Sequence, residues 1–189
     1  MPHQLRPALI PALAIAAIAL TGCAAPTTQP PAVAADAADA AVTVVNCGVE
    51  VVFDTAPQRV VTIQSSTTES LLALGLGDRI VGAAYQNSPA PQQWADAVAD
   101  LEIIADRSPS QDVVLELEPD LVFAGWESNF AADAAGERDD LAALGVASYV
   151  APAACQSQDQ PDPLTWEHVF ADLEELGAIF RVDASGLVA

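Results

Sequence analysis

The sequence predicts an α/β fold, in which a mainly parallel β-sheet is flanked by helices on both faces and preceded by an amino-terminal β-hairpin. Short apolar runs rich in β-branched residues recur along the chain, as is typical of strands that are covered on both faces. Helical segments with caps or an apolar side alternate with these runs. Right-handed crossovers between successive strands then make the strands parallel, with helices in two outer layers.

The first βα unit of this sheet is predicted from a strand at Arg59–Ile63, a polar loop at Gln64–Thr67 and a helix over about Thr68–Leu74. Glu69 would lie in the first turn, where a carboxylate suits the helix dipole. The candidate N-caps of this helix are Ser66, Thr67 and Thr68. A strand that brings hydroxyls and free N–H groups to a helix start is typical of a ligand site, although most such turns only build the core.

The other predicted strands and helices also alternate along the chain. The strands are the hairpin pair Val42–Val45 and Val49–Phe53, then Arg79–Ala84, Ile103–Ile104, Leu121–Ala124 and Val146–Val150. The helices are Gln92–Ala99, Ser110–Glu118, Asp133–Leu144 and Thr165–Phe180. Because the carboxyl ends of parallel strands meet at one edge, five loops meet there, and we call this surface the mouth. Its loops are Gln64–Thr68, Tyr85–Pro91, Ala105–Pro109, Gly125–Ala132 and Ala151–Pro163.

The first 41 residues predict export. Residues 1–22 combine a weakly basic start with the apolar run Ala8–Leu20, the pattern of a signal peptide. The run Leu20-Thr21-Gly22-Cys23 resembles a bacterial lipobox, which implies cleavage before Cys23 and a lipid on its sulfur. An ordinary secretory signal with an incidental cysteine is the alternative. Residues 23–41, rich in Ala, Pro, Thr and Asp, predict a flexible tether to the outer face of the cell membrane.

Composition limits the partners of the domain predicted over residues 42–182. The chain has 26 acidic residues against six arginines and no lysine, for a net charge of −20. Nucleic acid is therefore not expected as a partner, because few basic groups are present to neutralise phosphates. Cys47 and Cys155 remain after the lipidated cysteine, and an exported protein is normally in an oxidising place. We therefore predict a Cys47–Cys155 disulfide, with two separate thiols as the alternative.

The mouth loops predict binding more than catalysis. Beyond the signal peptide His168 is the only histidine, and the chain has no HExxH, CxxC, P-loop or GxGxxG motif. We therefore expect no catalytic residue, no metal site and no cofactor. The loops instead carry hydroxyls, one arginine and aromatic rings, for which core packing is the alternative. The candidate ligand-binding residues are Ser65, Ser66, Thr67, Thr68, Tyr85, Arg107, Trp126 and Phe130.

Several stretches resemble the iron–siderophore and cobalamin class of ABC-transporter substrate-binding proteins. They are Arg59-Val60-Val61-Thr62 with Thr68-Glu69 and Leu74-Gly75-Leu76, then SQDVVLELEPDLV over Ser110–Val122, Asp140-Leu141-Ala142-Ala143-Leu144-Gly145-Val146, and Leu176-Gly177-Ala178-Ile179-Phe180. The resemblance implies one lobe of a two-lobed protein that holds its ligand in the cleft between the lobes. Residues 42–182 would be the amino-terminal lobe, and residues 183–189 would begin the interlobe helix. The chain is then a fragment or a single-lobe form.

The resemblance also implies a function. Proteins of this class capture a ferric siderophore, or a related chelate such as haem or cobalamin, and deliver it to a permease dimer in the membrane. In this family an acidic residue near a helix start pairs with permease arginines. Asp112 occupies that position here, and Glu69 is the second candidate. Such a protein is not an enzyme. The alternatives are a surface-anchored protein-interaction module built from a single lobe, and an anchored hydrolase that uses Ser65 or Ser66 with His168.

Overall fold

The computed structural model describes residues 40–158 and 160–188. The predicted signal peptide, the predicted lipidation site at Cys23 and nearly all of the predicted tether lie outside these residues. Within the described residues, no helix is long and apolar enough to cross a membrane.

The structure confirms the predicted α/β fold, with a parallel sheet and an amino-terminal hairpin. The strands are β1 (Val42–Asn46), β2 (Val49–Phe53), β3 (Val60–Ile63), β4 (Ile80–Ala84), β5 (Ile103–Ala105), β6 (Leu121–Ala124) and β7 (Ala147–Val150). The helices are α1 (Ser65–Ala73), α2 (Ala95–Ala99), α3 (Gln111–Leu115), α4 (Arg138–Ala143) and α5 (Trp166–Phe180). In the described part of the chain, β1 and β2 pair antiparallel, and five parallel strands form the main sheet in the order β5-β4-β3-β6-β7.

Each face of the main sheet has its own hydrophobic core, because successive side chains of a strand point to opposite faces. On one face the strands pack against α3 and α4, through buried Val61, Ile63, Val114, Val122 and Leu141. On the other face they pack against α1 and α5, through buried Val60, Leu71, Phe123, Tyr149 and Leu176. The main sheet is therefore covered on both sides, as its continuous apolar strands predicted.

The hairpin is fastened to the edge strand β7 at several points. The turn between β1 and β2 has positive φ at Cys47 and Gly48, the backbone of a tight hairpin. Cys47 is bonded to Cys155 by a disulfide of 2.04 Å. The side-chain amide of Asn46 accepts from the N–H of Val150 and donates to its carbonyl, both at 2.8 Å. That amide therefore pairs with β7 as a neighbouring strand would.

The structure corrects several predicted helix bounds. α1 begins at Ser65, so the predicted loop contracts to Gln64 alone and Glu69 lies in the second turn. α4 begins only at Arg138, because the chain turns at Gly136 with φ 103° just before it. Residues 92–94 form a 3₁₀ turn ahead of the short α2. Residues 183–188 form a turn and irregular chain rather than the predicted start of a helix.

Candidate functional site

The mouth lies where the strand order of the main sheet reverses. From β3 the chain moves outward to β4 and β5, and then returns to β6 on the other side of β3. In open α/β sheets, the crevice at such a switch point, outside the carboxyl ends of the strands, is where ligands bind. Here the switch point lies between β3 and β6, so the start of α1 and the loop after β6 form its walls.

Hydrogen bonds join the mouth loops into one surface. Ser88 N–H donates to the hydroxyl of Ser65 at 3.0 Å, which ties the loop after β4 to α1. Tyr85 N–H donates to the carbonyl of Ala105 at 2.9 Å, which ties the same loop to the end of β5. The side-chain amide of Asn129 lies 3.4 Å from the hydroxyl of Ser108 and links the loops after β6 and β5.

A pair of aromatic rings crosses the switch point. Tyr85 follows β4 and Trp126 follows β6, and their ring centroids lie 5.8 Å apart at an interplanar angle of 69°. This edge-to-face contact holds Trp126 while leaving 43% of it exposed. The pair is therefore a positioned apolar surface at the mouth.

Arg107 supplies an uncommitted positive charge at the mouth. The guanidinium groups of the other arginines in the described part of the chain donate to backbone carbonyls: Arg59, Arg79, Arg138 and Arg181. Across residues 40–158 and 160–188, Arg107 alone among the arginines makes no hydrogen bond, ion pair or ring contact within the chain. It is exposed in the loop after β5, where its guanidinium can bind a ligand oxygen.

The predicted hydroxyl residues divide into two groups. Ser66 is exposed, and Ser65 is buried at the rim with its hydroxyl bonded to Ser88. Thr67 and Thr68 are completely buried and bond inward, Thr67 to the carbonyl of Gln64 at 2.9 Å and Thr68 to the hydroxyl of Thr62 at 2.8 Å. A ligand at the surface cannot touch these two threonines in this structure, which contradicts their prediction as ligand contacts.

Phe130, another predicted ligand-binding residue, is also buried. It is only 9% exposed and packs in the core between the sheet and α4. The guanidinium carbon of Arg138 lies 5.8 Å from its ring centroid, over the ring face. Core packing, the alternative considered for this residue, therefore describes it.

Gln64 lies in the predicted mouth loop Gln64–Thr68 but was not among the predicted ligand-binding residues. It is the one residue between β3 and α1, and it is 3% exposed, with φ 89° and ψ 150°. Its side chain lies against Gly125, the first residue after β6; a Cβ on that glycine would come within 2.1 Å of the Gln64 Oε1 atom. Nothing in the local sequence distinguishes this glutamine, because its burial depends on how β3 and β6 pair.

Glu127 holds the long loop after β7 against the mouth. Its carboxylate accepts hydrogen bonds from the backbone N–H groups of Gln156 and Ser157, at 2.6 and 2.9 Å, and from the Ser157 hydroxyl. Burial alone would raise the pKa of Glu127, but these hydrogen bonds and the charge of Arg138 outweigh it and lower the pKa. The carboxylate is thus engaged within the chain, next to the disulfide at Cys155.

The two predicted docking carboxylates differ in their surroundings. Asp112 is exposed in the first turn of α3, a helix whose start is capped by the hydroxyl of Ser110. Glu69 is partly buried in the second turn of α1. Asp112 is therefore the more accessible of the two.

The structure does not bring His168 together with Ser65 or Ser66, the residues of the hydrolase alternative. His168 Nδ1 accepts the N–H of Thr165 at 3.1 Å, which caps the start of α5. Neither Ser65 nor Ser66 contacts this histidine among the described residues; Ser65 bonds to Ser88, and Ser70 donates to the Ser66 carbonyl. The same residues contain no group of three His, Cys, Asp or Glu side chains that could hold a metal ion.

Comparisons with known proteins bear on the fold and on the class of protein that this chain resembles. No family model matches the chain. An uncharacterized ABC transporter substrate-binding lipoprotein, YvrC of Bacillus subtilis, is 31% identical over 125 residues, which cover 65% of this chain and 38% of that protein. The vitamin B12-binding protein of Photorhabdus laumondii is 30% identical over 122 residues, which cover 64% of this chain and 38% of that protein. The chain thus matches about two fifths of the length of these relatives.

Solved structures show the same fold. A periplasmic binding protein from Veillonella parvula matches with a TM-score of 0.67 and 24% identity, over 78% of this chain and 49% of that one. A structure described as an ABC-type Fe3+-hydroxamate transport system, from Saccharomonospora viridis, matches with a TM-score of 0.61 and 24% identity, over 74% and 48%. The predicted resemblance is confirmed: the homologues of this chain are ABC-transporter substrate-binding proteins, which bind solutes for transport rather than act as enzymes.

Proposed function

We propose that this chain is the amino-terminal lobe of an exported, lipid-anchored substrate-binding protein that captures a ferric siderophore or a related chelate. An ABC permease dimer would receive the chelate, and the lipid on Cys23 would keep the protein at the outer face of the cell membrane. The proposal is supported by the homologues, which are substrate-binding proteins, and by one observation above all. The mouth presents the Tyr85–Trp126 ring pair together with Arg107, whose charge is not used within the chain.

These groups suit the chemistry of a chelate. A ferric or corrinoid chelate has an extended, partly apolar surface that can pack on the exposed face of Trp126. It also carries oxygen atoms that accept hydrogen bonds from Arg107 and Ser66. One lobe covers only one side of such a ligand, so we expect the second lobe of a complete protein to close over the other side. That closure would bury more ligand surface and raise the affinity.

Delivery would depend on acidic residues outside the mouth. Asp112, and with it Glu69, would pair with arginines of the permease. Exposed ion pairs contribute little individually, so docking needs several of them acting together. The net charge of −20 favours approach to a basic surface and makes that approach sensitive to salt.

Tryptophan fluorescence tests the proposal, because Trp126 lies in the mouth. The chain is titrated with a ferric hydroxamate, a ferric catecholate, haem and cyanocobalamin. We expect at least one chelate to quench the emission, Trp126→Phe to lose most of that change, and Trp126→Ala to weaken binding roughly tenfold. Trp166→Phe is the matched control, since that residue is 75% exposed at the start of α5, outside the mouth. A flat response of the unaltered protein to all four chelates contradicts the proposal.

A further inference from the structure

Trp126 lies in a short exposed segment of the loop after β6. It precedes a 3₁₀ turn over residues 127–129, and its N–H donates to the side-chain oxygen of Asn129 at 3.1 Å. Asn129 is buried and Phe130 packs in the core, so the chain leaves the surface directly after this turn. The ring of Trp126 rests edge-to-face against that of Tyr85. The position of the ring therefore depends on how firmly the turn is held.

Glu127, the residue after Trp126, bonds this turn to the loop after β7. Its carboxylate accepts the backbone N–H groups of Gln156 and Ser157, at 2.6 and 2.9 Å, and the hydroxyl of Ser157. We call these three bonds the Glu127 clamp. Hydrogen bonds to a charged acceptor are roughly twice as strong as those between neutral groups. The clamp therefore fixes the carboxylate, and the backbone next to Trp126 is fixed with it.

The loop after β7 is itself anchored, so it can serve as a firm support. Cys155, directly before the bonded residues, is 1% exposed and is joined by the disulfide to Cys47 in the hairpin turn. The hydroxyl of Ser157 also lies 3.4 Å from the carbonyl of Cys47. The hairpin is fastened in turn to the edge strand β7. Glu127 therefore bonds the mouth to a covalently crosslinked part of the chain.

The bonding of Glu127 also indicates that the carboxylate does not bind the ligand directly. A negative charge is an unfavourable neighbour for the oxygen atoms of a chelate. Both carboxylate oxygens already accept hydrogen bonds within the chain, Oε2 from two N–H groups and Oε1 from the Ser157 hydroxyl. Glu127 is thus placed to act through the neighbouring Trp126 rather than by contact with a chelate.

We infer that Glu127 is a positioning residue for chelate binding, which acts by holding Trp126 in place against Tyr85. The inference rests on the proposed function and adds to it a residue that the ligand does not touch. With the clamp intact, Trp126 presents the same surface to every ligand molecule, so little ordering remains for the binding step. Without the clamp, the turn samples other positions, and the entropy of ordering the ring offsets part of the interaction free energy.

Affinity in a graded series of variants tests the inference. Binding of the same four chelates is measured by equilibrium dialysis with each chelate followed by its absorbance, so that variants without Trp126 can be compared. Glu127→Ala removes the clamp and should weaken binding roughly fivefold, less than the roughly tenfold expected for Trp126→Ala. Glu127→Gln removes the same charge but keeps an oxygen for the two N–H groups, so a loss of roughly twofold is expected.

A double-mutant cycle separates positioning from a general effect on the fold. In the Trp126→Ala background no ring is left to position, so Glu127→Ala should change the affinity by less than twofold. The ligand-free chain offers a second measurement, the indole N–H signals in ¹H–¹⁵N spectra. Glu127→Ala should shift or broaden the signal of Trp126 and leave those of Trp94 and Trp166 unchanged.

Ser128→Ala is the matched control in the same turn. Ser128 is exposed, and its hydroxyl makes no hydrogen bond among the described residues. The variant should leave both the affinity and the Trp126 signal as they are in the unaltered chain. If Glu127→Ala does not fold, the indole signals of Glu127→Gln decide in its place: a change confined to Trp126 supports the inference, and an unchanged signal overturns it.

The outcomes separate this inference from the proposed function. The positioning role is overturned, while solute binding stands, if Glu127→Ala binds as tightly as the unaltered chain. It is also overturned if Glu127→Ala and Glu127→Gln weaken binding equally, or if the loss persists in the Trp126→Ala background. If the unaltered chain binds none of the four chelates, the proposed function is overturned and the inference with it.

Discussion

Several polar side chains in this domain pair with the backbone of distant segments. The carboxylate of Asp120 accepts the N–H groups of Gln58 and Arg59 and so aligns β3 with β6. The amide of Asn46 pairs with Val150 in the same manner at the edge of the sheet. Each of these residues satisfies a backbone group that would otherwise lack a partner. Against this background, the unpaired Gln64 amide and the unpaired Arg107 are exceptions, and both lie at the mouth.

Ionisation of the Asp172 carboxyl group lowers the stability of the folded state. It is half-buried on α5, and burial together with the charge of Glu175 raises its pKa from 3.8 to about 6. The folded chain therefore binds this proton more tightly than the unfolded chain does. The resulting stability is fully present below pH 4 and is lost as the pH rises through about 6.

We therefore predict that Asp172→Asn stabilises the protein at pH 8 and has little effect at pH 4. Asparagine keeps an oxygen to accept the N–H of Ala153 but never carries the charge. The expected gain at pH 8 is about 1 kcal/mol, since solvent screens a half-buried group. Urea unfolding at several pH values measures it. Glu174→Gln, at an exposed position of the same helix, is the control. An equal effect of Asp172→Asn at both pH values would contradict the prediction.

At the scale of elements, β3, α1 and β6 meet at a tightly bonded junction. α1 starts immediately after Gln64, whose N–H is bonded to the carbonyl of Ala84 at 2.9 Å. Gly125 N–H is bonded in turn to the carbonyl of Ile63 at 3.0 Å. These bonds bring Gln64 and Gly125 so close that a Cβ at position 125 would overlap the end of the Gln64 side chain unless that side chain moved.

Gly125→Ala should consequently destabilise the protein by about 1–3 kcal/mol, because its Cβ would overlap the buried side chain of Gln64. Gly186→Ala is a suitable control, since a Cβ there has open space around it. Gln64→Gly removes the atoms that clash, so the double variant should recover most of the loss. Chemical unfolding of the four proteins forms a double-mutant cycle. Additive effects would show that the two residues do not interact.

The bounds of β6 and α1 show where the local sequence is sufficient to predict an element and where it is not. β6 was predicted at Leu121–Ala124 and is found there, because its four consecutive apolar residues are bounded by Asp120 and Gly125. α1 was predicted three residues too late. Its serines and threonines are common N-caps, but here Thr67 bonds back to Ile63 and Gln64 inside the helix. A hydroxyl can cap the start of a helix or bond back to a carbonyl of the preceding turn, and the local sequence does not distinguish these two roles.

At the scale of the whole domain, the disulfide joins segments that are 108 residues apart. It links the turn of the hairpin to the loop after β7, and Glu127 holds that loop to the mouth. In the chain-entropy description, a crosslink that closes so long a loop stabilises the folded state by about 4–5 kcal/mol. The crosslink therefore holds the hairpin turn against the loop that Glu127 binds at the mouth.

Replacing both Cys47 and Cys155 by alanine should lower the free energy of unfolding by about 4–5 kcal/mol. The main sheet should still form, because Cys47 and Cys155 are the only core residues that the variant changes and the apolar residues of the strands remain. Urea unfolding with and without reductant measures the effect. The unaltered protein should lose stability in reductant, whereas the double variant should be insensitive to it. If the reduced protein unfolds at the same urea concentration as the oxidised one, the disulfide does not stabilise the domain.

The sequence by itself determined the fold class, the parallel strands, the loops that reach the mouth and the resemblance to ABC-transporter substrate-binding proteins. These follow from apolar periodicity and from motif order, which are local properties of the chain. Only the tertiary structure decided the strand order, which places β3 between β4 and β6 and so brings Tyr85 to Trp126. It also decided that Thr67, Thr68 and Phe130 are buried and that Gln64 lies on the floor of the mouth. Exposure depends on which strands become neighbours, and that is a property of the packed sheet.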